Sequence, residues 1–276
     1  MYSWHLPFEL CELIIDNLDS WEDEDTLRAC SLTCKAFLHA SRYHLFYRVH
    51  LINRHIAQRF LDTICSTPSP TSPYQYIHYL CLSEERREPH LLWVNKALTL
   101  LATRLLDVTI LELDHLQWNM LDDTGRAMIL SGFQRVEHLV TAFSKFETSE
   151  QMNHLITSFP SLTHMSCSQT YWETGGILTV PLPHGLQSIT LDSDQSIVFH
   201  QLLCLESHPR VCTVKFHYVL PDYVPNVGML LKTLGPDLEE LDLGDLRCAL
   251  GFNQSNAEGQ PYCRIAEILG DLVFLY

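Results

Sequence analysis

Apolar residues recur along most of the chain in one three-point pattern: an apolar position, a second three residues later, and a third two residues after that. The last two positions have the spacing of a strand with one buried face, because successive side chains of a strand point to opposite sides. The first position would anchor the turn that enters the strand. Seven copies carry the pattern, and an eighth, degenerate copy precedes them at Phe46/Val49/Leu51. The seven are Ile77/Leu80/Leu82, Val108/Leu111/Leu113, Val136/Leu139/Thr141, Leu162/Met165/Cys167, Leu186/Ile189/Leu191, Val211/Val214/Phe216 and Leu238/Leu241/Leu243.

The seven copies start at residues 77, 108, 136, 162, 186, 211 and 238, so neighbouring copies are 24 to 31 residues apart. Helical stripes of apolar residues are predicted between several of them, at residues 53–66, 91–106, 150–159, 198–206 and 227–234. A strand and a helix in each interval resemble an irregular leucine-rich-repeat solenoid, a horseshoe of stacked β/α units. Most copies lack the asparagine with which that family holds its turns. Chance recurrence of leucine and a different α/β solenoid are the alternatives.

The first fifty residues have helical periodicity instead. Pro7 suits the start of a helix, because its missing N–H would be unpaired there in any case. Leu10 and Ile14 then follow with helical spacing, and Cys11 and Ile15 widen the apolar stripe to more than one face. A short helix with two apolar faces needs two surfaces to pack on. One can be its own domain, and we expect the other to be a partner.

Two further helices are predicted, one starting near residue 24 and one over residues 35–47. With them, the chain resembles an F-box over about residues 4–50. The resemblance rests on LPFEL at residues 6–10, IIDNL at residues 14–18 and TLRACSLTCKAF at residues 26–37. The continuation SRYHLF at residues 41–46 is similar to F-box proteins of fungi, although Phe37 stands where many members have tryptophan. An ordinary helical cap on the repeats is the alternative.

The resemblance implies a partner and a role. F-box modules bind the Skp-type adaptor of SCF ubiquitin ligases and, through it, cullin, while the transfer chemistry belongs to other subunits. The chain would then be a substrate-recognition adaptor in ubiquitin-dependent protein degradation, and the residues that bind its client protein are unknown. By the same resemblance the adaptor contacts, mainly apolar anchors with a polar rim, would be made by Leu6, Pro7, Leu10, Ile14, Leu27, Leu32 and Lys35.

We therefore predict an α/β chain of two domains. A three-helix F-box occupies residues 1–50, and a leucine-rich-repeat-like solenoid occupies residues 51–276. Leu272 and Leu275 have the spacing of another strand close to the last residue. Terminal repeats normally carry a polar cap, because an open end exposes the continuous core. We expect this solenoid to lack such a cap.

Composition narrows the choice of partners. The formal net charge is −15, and lysine and arginine do not cluster, so nucleic acid is a poor candidate. The sequence has neither a stretch of about 18 apolar residues nor a basic segment at the N-terminus, so neither a membrane span nor a secretory signal is predicted. The ten cysteines include no CxxC pair and are expected to be reduced. These features favour a cytoplasmic or nuclear protein.

Candidate chemistry is sparse. None of the HExxH, GxSxG, P-loop or GxGxxG motifs occurs, despite 15 histidines. We therefore predict no catalytic residue, metal site or cofactor. A scaffold that carries an F-box outside a ligase is an alternative, and a hydrolase with a histidine-rich cleft is a remote one.

Two surface features are further candidates for interaction. The acidic residues at 237–245 could bind a basic partner, and the loop at residues 66–73 contains three Ser/Thr-Pro pairs that are candidate phosphorylation sites.

Overall fold

The computed structural model describes residues 7–20, 22–66, 73–84, 92–174, 181–195, 199 and 209–244. The architecture is mixed α/β, and its main sheet is mostly parallel. The predictions for Leu6, for the Ser/Thr-Pro pairs, for the helix at residues 198–206 and for the last strand lie outside the described residues. No helix within the described ranges is long and apolar enough to cross a membrane.

The chain divides into two compact units. The first comprises residues 1–112 and 121–135, and the second comprises residues 113–120 and 136–276. The predicted division at residue 50 therefore falls inside the first unit.

Three helices open the first unit, at the positions that the periodicity predicts. They are α1 (Phe8–Asp16), α2 (Glu24–Thr33) and α3 (Lys35–Tyr47). Helices α1 and α2 both pack against α3. Their small core consists of Ile15, Leu27 and Ala40, against which Leu18, Cys30, Phe37 and Leu45 pack.

The remainder of the first unit alternates strands and helices. Its elements are β1 (Arg48–Leu51), α4 (Arg54–Ser66), a 3-10 turn (Pro73–Tyr76), β2 (Tyr79–Ser83), α5 (Leu92–Arg104), β3 (Ile110–Asp114) and α6 (Asp123–Gly132). Strand β1 lies parallel to β2, with Val49 opposite Leu80 and Leu51 opposite Leu82. Helix α5 packs between α4 and α6. Helix α6 was not predicted, whereas α4 and α5 occupy two of the predicted stripes.

The second unit includes the end of β3 and continues the alternation. Its elements are β4 (His138–Ala142), β5 (Lys145–Thr148), α7 (Ser149–Thr157), β6 (His164–Ser168), β7 (Tyr171–Thr174), β8 (Ser188–Leu191), β9 (Thr213–Phe216), α8 (Val224–Leu234) and β10 (Glu240–Asp242). Strands β4, β6, β8, β9 and β10 are successive neighbours in a parallel sheet, and β5 pairs with β7 in a separate small sheet. Gly235, with φ of +53°, ends α8 where a glycine was expected to stop the helix.

Equivalent positions of the predicted repeats are opposite one another in the sheet. Met165 lies opposite Leu139 on one side and Ile189 on the other, and Val214 lies opposite both Ile189 and Leu241. In the six copies that start at residues 77 to 211, no side chain of the pattern is more than 2% exposed. The copy that starts at Leu238 is only half-buried. All seven copies and the degenerate one at β1 form the predicted strands. The prediction that one face of each strand is buried is confirmed for the six copies that start at residues 77 to 211.

Serine and threonine hydroxyl groups hold two turns after the strands. Ser144 follows β4, donates a hydrogen bond to the carbonyl oxygen of Leu113 (2.9 Å) and accepts one from the N–H of Leu116 (3.1 Å). Thr170 follows β6 and donates to the carbonyl oxygen of Thr141 (3.1 Å). These hydroxyl groups supply hydrogen bonds to buried backbone groups at the ends of the strands.

Candidate protein-binding surface

Helix α1 has four exposed apolar side chains, Phe8, Leu10, Leu13 and Ile14, and we call the side of the helix that carries the last three the α1 face. These four side chains are between 45% and 59% exposed. The three- and four-residue spacing of Leu10, Leu13 and Ile14 places them on one side of the helix. A contiguous exposed apolar row on a helix is typical of a surface that binds another protein.

The opposite side of α1 is the one that packs on the rest of the module. Cys11 and Ile15 are buried, and Leu18 packs on the same core one turn later. The helix therefore has the two apolar faces that its periodicity predicts. Leu10 and Ile14 face outward, and Cys11 and Ile15 face the core.

Helix α2 also has one buried and one exposed leucine. Leu27 was predicted to contact an adaptor, but its side chain is fully buried against Ile15 and Ala40. Its side chain instead fixes α2 from inside. Leu32, five residues later and therefore on the opposite side of the helix, is 87% exposed, the highest exposure among the described large apolar side chains.

The other predicted contact residues that the structure describes lie at the surface. Lys35 begins α3 and forms no ion pair with a described residue. Phe8 and Leu13 were not predicted as contacts, although the helical spacing of Leu13 from Leu10 was a usable signal. The predicted residues that the structure finds exposed are Pro7, Leu10, Ile14, Leu32 and Lys35.

Charged groups surround these apolar positions. On α2, Arg28 forms salt bridges with Glu24 (2.5 Å) and Asp25 (3.9 Å). Asp16, at the end of α1, lies 2.9 Å from the Nε2 atom of His44 on α3. Exposed ion pairs contribute little to stability, so these groups form a polar rim and leave the apolar residues to supply most of any binding energy.

A second candidate surface, most of whose side chains are half-buried, lies on the strands of the second unit. It consists of the side chains that alternate with the buried repeat positions on β4, β6, β8, β9 and β10, and is called the strand face. Ser166, Thr190 and Lys215 are opposite one another on β6, β8 and β9, and His138 is opposite His164 in the adjacent row. The rings of His138 and His164 are 4.2 Å apart.

The imidazole pair has unusual electrostatics. Burial lowers the pKa of His138, the neighbouring His164 lowers it further, and Glu137 opposes the shift. Two imidazolium ions at this distance would repel each other, so the neutral form of His138 is favoured in the folded protein.

The acidic residues near β10 are partly neutralised within the second unit. Arg210 lies 3.1 Å from Asp237 and 3.8 Å from Glu239, and Lys215 lies 3.0 Å from Glu240. These pairs reduce the negative charge that the sequence alone suggested for a basic partner. The last acidic residue of that predicted patch lies outside the described residues.

In the first unit, an ion-pair cluster lies on β1, β2 and β3. The Arg48 guanidinium lies 4.2 Å from the ring centre of Tyr79 and 3.5 Å from the carboxylate of Glu112. The Tyr79 hydroxyl donates a hydrogen bond to Glu112. Burial, and then this hydrogen bond, raise the pKa of Tyr79. The cluster links three neighbouring strands, and the contacts within it account for its charged groups.

No protein-family model matches the chain, and a search of curated proteins finds no match.

Proposed function

We propose that the chain is a non-enzymatic substrate-recognition adaptor of an SCF-type ubiquitin ligase. Its three-helix module acts as an F-box that binds a Skp-type adaptor and, through it, cullin. Residues 51–276 act as a leucine-rich-repeat-like solenoid that binds a client protein. The observation that supports this most strongly is that α1 has two apolar faces and the module covers only one of them.

The module gains from a partner on energetic grounds. Among its described residues, only four apolar side chains are buried, Cys11, Ile15, Leu27 and Ala40, and so small a core supplies little stability alone. Burying an exposed leucine or phenylalanine side chain contributes on the order of 1.5–3 kcal/mol. A partner that covers the α1 face would therefore both stabilise the module and bind it tightly.

The proposed contacts follow from exposure. The apolar anchors are the α1 face and Leu32, and Pro7 borders the α1 face. Lys35 supplies a positive charge at the rim. Leu6 keeps its proposed contact role from the sequence resemblance. Leu27 contributes by holding α2 in place.

The repeat segment supports the role of a client receptor. Successive repeats present side chains in the same register, so the strand face offers a regular row of partly exposed positions. Repeat proteins bind partners along such surfaces. The proposed role needs no catalytic group or cofactor, and it belongs in the cytoplasm or nucleus, where reduced cysteines persist.

Co-expression of the full chain with a Skp-type adaptor tests the proposal. We expect a complex with one copy of each protein, measured by light scattering after gel filtration, and recruitment of cullin only when the adaptor is present. A full chain that is folded by circular dichroism yet forms no complex would overturn the proposal.

A further inference from the structure

A pocket of about 300 Å³ opens in the first unit beside helix α4. Ile56 and Phe60, one helical turn apart on α4, form one apolar wall. Phe46, from the end of α3, and Ile77, just before β2, form another. Pockets that bind small molecules have such mostly apolar walls with a few polar groups that orient the ligand.

The charged group of the pocket is Arg59 on α4. Its side chain is exposed, and its guanidinium group forms no hydrogen bond or ion pair with a described residue. By contrast, the guanidinium groups of Arg28 and Arg135 each lie in a salt bridge. An arginine beside an apolar pocket presents a planar set of donors that fits a carboxylate in two parallel hydrogen bonds.

The volume limits the size of a ligand. A space of about 300 Å³ equals the share of on the order of ten water molecules in the liquid. It suits a short branched or aromatic hydrocarbon group, and it is too small for a large cofactor. Thr63 and Tyr74 add hydroxyl groups to the lining without changing its largely apolar character.

We infer that this pocket binds a small apolar carboxylate, with the hydrocarbon part between Ile56, Phe60 and Ile77 and the carboxylate on Arg59. The same chemistry is supplied by a free organic acid and by the C-terminal leucine or phenylalanine of a peptide. Because the pocket shares no residue with the α1 face, the inference does not rest on the proposed adaptor binding.

Ligand-observed NMR titration of the full chain tests the inference with matched probes. The organic acids are 3-phenylpropanoate and 4-methylpentanoate, each compared with its amide. The peptide acetyl-Gly-Gly-Leu is compared with its C-terminal amide to distinguish the two sources. We expect saturable binding of at least one carboxylate, and dissociation constants about tenfold or more weaker for its amide, as for the loss of a charge-assisted hydrogen bond.

Two variants of α4 provide the residue-level control. Arg59→Gln should remove the preference for the carboxylate, whereas Arg54→Gln, an exposed arginine of the same helix outside the pocket lining, should keep it. Thr63→Leu should block binding by filling the pocket without removing a charge. Thermal unfolding of each variant verifies that it is folded.

Several outcomes would overturn the inference. These are the lack of saturable binding for every probe, equal binding of acid and amide, and equal effects of the two arginine substitutions. Binding of the peptide acid alone, or of the organic acids alone, identifies the source and supports the pocket chemistry in either case.

Discussion

The hydroxyl group of Thr170 donates a hydrogen bond to the carbonyl oxygen of Thr141, 3.1 Å away on the preceding strand of the parallel sheet. The two hydroxyl oxygens are also 3.0 Å apart. Both residues are almost fully buried. A threonine thus holds a turn that contains no asparagine, the residue expected there in a leucine-rich repeat.

This hydrogen bond predicts a specific loss of stability. Thr170→Val keeps the shape of the side chain but removes the buried hydrogen bond to the carbonyl oxygen of Thr141, which costs on the order of 1–3 kcal/mol. Thr190→Val is the matched control, because Thr190 is only half-buried on β8. Denaturant unfolding of the full chain should show a lower midpoint for Thr170→Val alone, and equal midpoints for both variants would contradict the account.

We expect substitution of Asp194 by asparagine to stabilise the folded protein in a pH-dependent way. Its Oδ1 atom is buried without a hydrogen-bond partner, and burial, followed by the charge of Asp192, raises the pKa of its carboxyl group. A raised folded-state pKa means that the ionised carboxylate destabilises the folded protein. This cost is present at neutral pH and disappears as pH falls below the unfolded-state value of about 3.9.

The measurement is the melting temperature of Asp194→Asn relative to the unsubstituted chain. We expect a higher melting temperature at pH 7 and a difference that shrinks towards pH 4. The exposed Asp222, substituted in the same way, should leave the melting temperature nearly unchanged at both pH values. A difference for Asp194→Asn that does not vary with pH would refute the assigned cause.

We expect His138 to make the folded protein less stable in mild acid. Burial is the larger cause of its lowered pKa and His164 the second. Because the folded state disfavours the charged form, the stability that depends on neutral His138 is lost as pH falls through the unfolded-state value of about 6.5.

NMR titration of the imidazole resonances checks both causes. His164→Gln should raise the pKa of His138, but only part of the way to its ordinary value, because burial remains. Substitution of the exposed His217 should leave the pKa of His138 unchanged. If His164→Gln has no effect, the pairing of the two rings does not control the titration.

Substitution of two adjacent isoleucines of α1 should affect different properties, the stability of the first unit and the binding of a partner. Ile15 is fully buried and Ile14 belongs to the exposed α1 face. Ile15→Ala should lower the free energy of unfolding of the first unit by about 2–5 kcal/mol, through lost burial and a residual cavity. Ile14→Ala should lower it far less, and we expect it to weaken adaptor binding. Similar effects of both substitutions on thermal unfolding would show that the assigned faces are incorrect.

The strands were predictable because their buried positions have period two and recur at even intervals. Two further strands were missed. Strand β5 reads KFET and β7 reads YWET, with Phe146 opposite Trp172 in their pairing. Each strand has only four residues, and its second residue is the aromatic one that pairs across the small sheet. Four residues are too few for hydrophobic periodicity to identify a strand. The available signal was an aromatic residue followed by Glu-Thr after each of two successive repeats.

The site was predictable only in part. Periodicity gave α1 two apolar faces, but only its packing against α3 decides which of them is buried. For α2, the family resemblance gave Leu27 and Leu32 the same contact role, and burial separates them. The pocket beside α4 was not predicted at all, because its lining residues come from segments that no single motif connects.

The most direct test of the central claim is the dissociation constant of the full chain for a purified Skp-type adaptor, measured by calorimetry. The key comparison is Leu10→Asp on the α1 face with Leu106→Asp, a 63% exposed leucine elsewhere in the first unit. The account predicts saturable one-to-one binding, weakened about thirtyfold or more by Leu10→Asp, as for an interface residue worth about 2 kcal/mol. Leu106→Asp should bind as the unsubstituted chain does. Equal binding by all three proteins, or none by the folded unsubstituted chain, would contradict the claim.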